Sequence, residues 1–333
     1  MDSQTEEEIA MKKLLEIDNL YINFKTLWGV AKVLNGVSFD IREGEIFGLV
    51  GETGCGKSVT ALSILRLLPP NAEISGRILF KGENLLEKPE DEMRRIRGKE
   101  ISIIFQDPMT SLNPLFRVRD QMLDIIELHE GLSREEAEKH AEKLLKAVGL
   151  SDPERILNSY PHELSGGMRQ RIMIAMALSS NPSLLIADEP TTALDVTIQK
   201  QILELILDLR SRYNFSVLLI THDLGVVAEV CDRVGVMYAG NIVEVAPTEE
   251  LFENPLHPYT QGLLSVVPDP RIKKPLKPLR GSVPSLLNPP GGCRFHPRCI
   301  YAKDICEEIK PELHEYSPGH FVACHLYGGE SGD

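Results

Sequence analysis

The chain has 333 residues, with 42% hydrophobic and 26% charged side chains, an ordinary balance for a folded protein of one or two domains. A net charge of −13 disfavours a broad nucleic-acid-binding surface, and no apolar run approaches the ~18 residues that span a bilayer. The start, Met1–Glu8, is acidic where a secretory signal is basic and then apolar, so residues 1–12 read as a flexible leader and the expected compartment is the cytoplasm.

Two runs that alternate apolar and polar residues, Leu14–Phe24 and Ala31–Ile41, predict antiparallel strands of a β-subdomain. Tyr21, Phe24 and Trp28 lie in or beside them. Any of the three rings offers a face for stacking an adenine base, and a half-buried strand aromatic is the simpler alternative for each. The apolar run Ile46–Val50 then leads into Gly51-Glu52-Thr53-Gly54-Cys55-Gly56-Lys57-Ser58, and Val59–Leu68 has helical spacing. Strand, glycine loop and helix in that order suit a phosphate-binding loop. The glycines allow a turn tight enough for successive N–H groups to point inward, and the helix adds its positive end. Lys57 would reach the β- and γ-phosphates of a nucleotide, and the Ser58 hydroxyl would ligate Mg²⁺.

Gly76–Gly82 reads as a strand and turn, residues 87–97 as a charged helix, and Glu100–Phe105 as a buried strand ending at Gln106. Asp107-Pro108 opens a loop, because proline disfavours helix in the residue before it. Residues 119–149 show helical spacing up to Gly149. In Leu164–Gln170, Ser165 stands at an N-cap position and Gly166 and Gly167 expose backbone N–H groups, a second anion-binding helix start ahead of the helix Arg171–Ser179. Leu184–Ala187 predicts a buried parallel strand delivering Asp188 and Glu189 at its carboxyl end, where ligands gather in open α/β sheets. Asp188 is placed for the Mg²⁺ shell and Glu189 for polarising a water. Ala193-Leu194-Asp195 lies in a loop before the helix Ile198–Tyr213, and the strand Phe215–Ile220 ends at Thr221-His222-Asp223.

Together these motifs, in this order over roughly residues 14–250, resemble the ATP-binding-cassette ATPases. The resemblance implies an α/β fold of the phosphate-loop type, with a mixed core sheet, an antiparallel β-subdomain and a helical subdomain at about 107–178. It assigns Gly51–Ser58 and Val59 to the nucleotide, Gln106 to coupling the Mg²⁺ site to a transport partner, Leu164–Gln170 to the family signature, Asp195 to the D-loop and His222 to the γ-phosphate switch. Two cassettes of such a family pair head to tail, so Ser165, Gly166, Gly167 and Gln170 would serve the partner's ATP. Phe24 is preferred as the adenine platform because it ends the first strand. The segments Phe105–Pro114, Pro161–Gln170 and Asn254–Thr260 resemble more narrowly the first ATPase subunit of dipeptide and oligopeptide importers. That implies a second ATPase as heterodimer partner (self-pairing in isolation being the alternative), two membrane permease subunits, an extracytoplasmic peptide-binding protein and a position on the cytoplasmic face of the membrane. Nickel importers share much of the pattern, and a soluble non-transport ATPase is a more distant rival.

Beyond residue 250 a C-terminal extension is expected. Residues 268–292 hold seven prolines and Arg271–Arg280 five basic residues, reading as an extended arm. Cys293, Cys299, Cys306 and Cys324 then form a small cysteine-rich module with spacings of 5, 6 and 17 residues. This is not the C-x₂-C of zinc ribbons, and four thiolates suit a [4Fe–4S] cluster. The pattern also resembles the tail of peptide-importer ATPases that carry one. Zinc, with His296, His320 or His325 as substitute ligands, is the alternative. Cys55 and Cys231 are expected only to pack.

Overall fold

The computed structural model describes residues 12–106, 111–191, 195–265 and 281–327. The leader, Asp107–Thr110, Ala193-Leu194 and the arm Arg271–Arg280 lie outside them. The chain divides into two compact units, Met1–Glu87 with Thr221–Asp333, and Lys88–Ile220.

The first unit opens with the expected hairpin, β1 (Lys13–Thr26) antiparallel to β2 (Gly29–Arg42). Leu15, Ile17, Leu20 and Ile22 of β1 are buried and the residues between them are not, so one face of the hairpin enters the core. β3 (Ile46–Val50) is buried at every position and is followed by α1 (Lys57–Ile64). That helix is shorter than its apolar spacing predicts, since Arg66 turns to φ 52° ahead of Pro69 and Pro70. β4 (Ala72–Phe80) pairs with β1, and the short β5 (Glu83–Asn84) completes a sheet ordered β2-β1-β4-β5.

The second unit contains α2 (Glu90–Ile96), β6 (Ile101–Ile104), α3 (Val118–Glu130), α4 (Arg134–Ala147), α5 (Pro153–Asn158), α6 (Gly166–Ala177), β7 (Leu184–Asp188), α7 (Val196–Tyr213) and β8 (Ser216–Thr221). The helical pattern over 119–149 is two helices. Gly131 ends α3 at φ 65°, and Ser133 starts α4 through a reciprocal capping box with Glu136. β7 lies parallel to β6 and to β8, with Leu184 opposite Ile101 and Ser216. β6 stops at Ile104, so Phe105, expected in the buried strand, is 41% exposed.

The first unit resumes with α8 (Leu224–Val230), β9 (Arg233–Tyr238), β10 (Asn241–Pro247), α9 (Thr248–Glu253), α10 (Pro258–Ser265), α11 (Ile305–Glu308), β11 (His314–Ser317) and β12 (His320–Val322). β3 runs parallel to β9, which pairs antiparallel with β10, and β10 pairs with β12 of the C-terminal hairpin. The sheet is therefore mixed, and the cysteine-rich tail is stitched to its edge. One buried carboxylate fastens that stitch. Glu244 of β10, 0% exposed, accepts the N–H groups of Leu256 (2.7 Å) and His257 (2.9 Å) and meets His320 Nε2 at 2.8 Å. Removing it strands two buried polar groups, the His257 N–H and His320 Nε2, and the part-buried Leu256 N–H. Glu244→Ala is expected to cost about 3 kcal/mol of stability and to expose residues beyond 250 to limited proteolysis; unaltered unfolding and protease resistance would contradict this.

Candidate nucleotide site

The phosphate loop of the first unit is a backbone constraint before it is a set of side chains. Gly51 takes φ 154°, and a Cβ there would fall 2.1 Å from the Met237 carbonyl oxygen. Gly56, at φ 115°, caps α1 without a side chain, leaving the first helical N–H groups for an anion. The loop is tied down by the Cys55 N–H on the Glu52 carbonyl (3.2 Å) and by the Gly240 N–H on the Cys55 carbonyl (2.8 Å). Lys57 is 6% exposed, and its Nζ donates to the carbonyl oxygens of Gly51 (2.8 Å) and Glu52 (3.3 Å). Thr53, Gly54 and Ser58 are exposed, while Cys55 is fully buried with burial pushing its thiol pKa up, so it packs as expected. Cys231, buried likewise, is also raised.

Phe24 is half-buried in β1 opposite Ala31 and Ala72. The end of the Tyr21 ring lies over Gly36, and Trp28, in the hairpin turn, is 83% exposed.

In the second unit, adjacent parallel strands bring Gln106 and Glu189 together. Gln106 Nε2 donates to Glu189 Oε2 at 3.0 Å. Asp188, the last residue of β7, is 7% exposed. Glu189 adopts φ 47°, a left-handed conformation uncommon outside glycine, and its N–H donates to the Ile220 carbonyl at 2.8 Å. The spacing of residues gave no sign of this strain. It turns the chain sharply at the strand end and sets the carboxylate beside Gln106.

Ser165 caps α6 as expected, its hydroxyl accepting the Met168 N–H at 3.3 Å, and Ser165 is exposed with Gly166 and Gly167 part-exposed. A Cβ on Gly167 would press Ile198 at 3.2 Å. Gln170 departs from expectation. It is 1% exposed, one turn inside α6, and its two amide atoms are buried without a hydrogen-bond partner among the described residues, where an exposed side chain was expected. Asp195 caps α7 by accepting the Ile198 N–H at 3.0 Å. His222 follows β8 and is exposed, and Asp223 caps α8 through the N–H groups of Gly225 and Val226.

The four cysteines of the tail line one small cavity with His257, His296 and His325. Burial raises the thiol pKa values of Cys293 and Cys324 to about 11 and that of Cys299 in the same direction. Among the described residues, no three His, Cys, Asp or Glu side chains are arranged to hold a single metal ion. This does not support the module as a demonstrated metal centre. The zinc alternative also loses a ligand, because His320 is committed to Glu244.

A glycine loop capped onto a helix, with a separate strand ending in two carboxylates, defines a phosphate-loop nucleoside triphosphatase. The chain matches the family profile "ABC transporter" over residues 34–192 and "Oligopeptide/dipeptide transporter, C-terminal region" over residues 243–306. It is 54% identical over 93% of its length to a protein of Sinorhizobium fredii named as a probable peptide ABC transporter ATP-binding protein, 94% of which is covered. It is 50% identical to the dipeptide transport ATP-binding protein DppD of Bacillus subtilis over 95% of both chains. A solved dimeric ATP-binding cassette in a post-hydrolysis state with ADP and Pi superposes with a TM-score of 0.63 at 29% identity, covering 70% of this chain and 98% of that one. The chain belongs to the ABC transporter ATP-binding protein family, and it is an ATPase of that fold.

The loop gives a direct test. Gly51→Ala is expected to weaken MgATP binding by at least about tenfold, because the loop must move off the Met237 carbonyl; wild-type affinity in a titration would contradict the geometry.

Proposed function

We propose that this chain is the ATP-hydrolysing subunit of an importer for dipeptides or oligopeptides, working with permease subunits and a substrate-binding protein. The observation that carries this reading is the match of residues 243–306 to the oligopeptide/dipeptide transporter region, with about half of all residues shared with dipeptide and oligopeptide transport ATP-binding proteins along almost their whole length. No helix among the described residues is long and apolar enough to cross a membrane, which fits a subunit docked on the cytoplasmic face of its permeases. The cassette would occupy residues 13–250, with a helical subdomain at about 107–178, and the transporter-specific extension residues 251–333.

The loop amides and Lys57 would hold the phosphates, and Phe24 would carry the adenine. Ser58, Gln106 and Asp188 present the oxygen donors that suit a hard cation, so they would hold Mg²⁺, which supplies charge neutralisation on the phosphates when bound. Glu189 would take the proton of the attacking water or orient it, and Gln106, holding one carboxylate oxygen at 3.0 Å, limits how that carboxylate turns. His222 would sense the γ-phosphate. Ser165, Gly166 and Gly167 would close over the ATP of a second ATPase, and Asp195 would pass between the two. Support for that pairing comes from the exposed α6 start in this chain and from the dimeric form of the solved relative.

The four tail thiols would hold a [4Fe–4S] cluster with a structural role. The support for this reading is that the four cysteines line one small cavity, and a cluster takes its ligands from four thiolates. Because burial raises these thiols, metal loading would release protons and lower their apparent pKa values.

Two outcomes are expected. Glu189→Gln binds MgATP, accumulates as a closed nucleotide-bound dimer and loses turnover by at least about a hundredfold; near-normal hydrolysis would remove Glu189 from its role. Chain purified without oxygen contains about four iron and four sulfide; stoichiometric zinc without iron would refute the cluster.

A further inference from the structure

The phosphate loop carries a carboxylate that its task does not require. Glu52 is its second residue, and an uncompensated negative charge there opposes the polyphosphate the loop collects. The structure gives that charge a dedicated partner. Arg298, 246 positions away in sequence, donates Nη1 to Glu52 Oε2 at 2.6 Å and Nη2 to Oε1 at 3.0 Å. This two-pronged geometry is the strong form of an arginine–carboxylate pair.

The arginine is itself held. Its side chain is 6% exposed and lies 5.7 Å from the Tyr238 ring centre and 5.9 Å from that of Phe295. It leaves the short turn His296–Arg298, closed by the Arg298 N–H on the Phe295 carbonyl at 2.9 Å. From the same aromatic cluster the Tyr259 hydroxyl accepts the Glu52 N–H at 2.9 Å. Both the main chain and the side chain of Glu52 are therefore gripped by residues outside the loop.

We propose that Arg298 is a positioning residue for nucleotide binding, acting through Glu52: it cancels the carboxylate's charge and, with Tyr259, fixes the second residue of the loop, so that the C-terminal extension sets the loop's affinity for a triphosphate. This rests on reading Gly51–Ser58 as the triphosphate site. A contact that merely stabilised the fold would be lost equally whichever partner was removed. On this reading the arginine is needed only while the glutamate's charge remains, so its loss is expected to weaken binding in the wild-type chain and not in one that lacks the carboxylate.

The test is titration of the full-length chain with MgATP. Arg298→Met is expected to bind about tenfold more weakly (~1.4 kcal/mol), with KM raised and kcat at saturation little changed. In a Glu52→Gln background, where the carboxylate's charge is absent, the same Arg298→Met change is expected to alter affinity by no more than about twofold. Wild-type affinity in Arg298→Met, or the same tenfold loss in the Glu52→Gln background, would overturn the proposal. If Arg298→Met does not fold, Arg298→Lys, which keeps the charge but not the two-pronged geometry, is expected to bind MgATP more weakly than wild type with kcat little changed; unchanged affinity in Arg298→Lys would overturn the proposal. Lys57→Ala separates the two levels. Retained MgATP binding in Lys57→Ala would sink the nucleotide-site reading itself, whereas lost binding there with a flat Arg298 series would sink only the positioning role.

Discussion

A flexible loop cannot grip a triphosphate cheaply, because the amides that meet the phosphates must already point inward when the ligand arrives. That requirement organises the first unit. Gly51 stands where a side chain would meet the Met237 carbonyl, β3 is locked parallel to β9 with Val50 opposite Val236, and the turn after β9 holds the Cys55 carbonyl through Gly240. Lys57 waits on the carbonyls of its own loop, so binding asks a side chain, not the backbone, to re-aim. The energy of ordering has been met in folding.

The carboxylates proposed for hydrolysis follow a different constraint. They sit at the end of β7, in the second unit, where buried parallel pairing to β6 and β8 leaves little freedom. Glu189 adds a strained backbone on top of this, and Gln106 restrains the side chain. A strained and restrained carboxylate at a strand end is the arrangement expected where small displacements change rate more than affinity.

Much of this was legible in the residues. The glycine loop, the strand ending in Asp188-Glu189, the Ser165 cap and the β1–β2 hairpin follow from glycine, capping and alternation rules that act over a few positions. What could not be read depends on contacts between distant positions or on backbone angles. The break at Gly131–Ser133 was masked because apolar spacing continues across it. Burial of Gln170 follows from packing around α6, and the assignment of His320 to Glu244 follows from the antiparallel docking of β12 on β10. The Glu52–Arg298 pair joins two ends of the chain that no local pattern links, and the positive φ of Glu189 leaves no compositional trace.

The central claim is that the catalytic unit is shared between two cassettes, each chain's loop closed by the other's Ser165 helix start. Mixing two inactive full-length chains, one carrying Lys57→Ala and the other Ser165→Phe, tests it most directly, at concentrations where the wild type alone hydrolyses ATP. One composite site in each mixed pair keeps a sound loop and a sound Ser165, so ATPase activity should return on mixing. If every ratio stays as inactive as the separate chains, the site is contained in a single chain and the account fails.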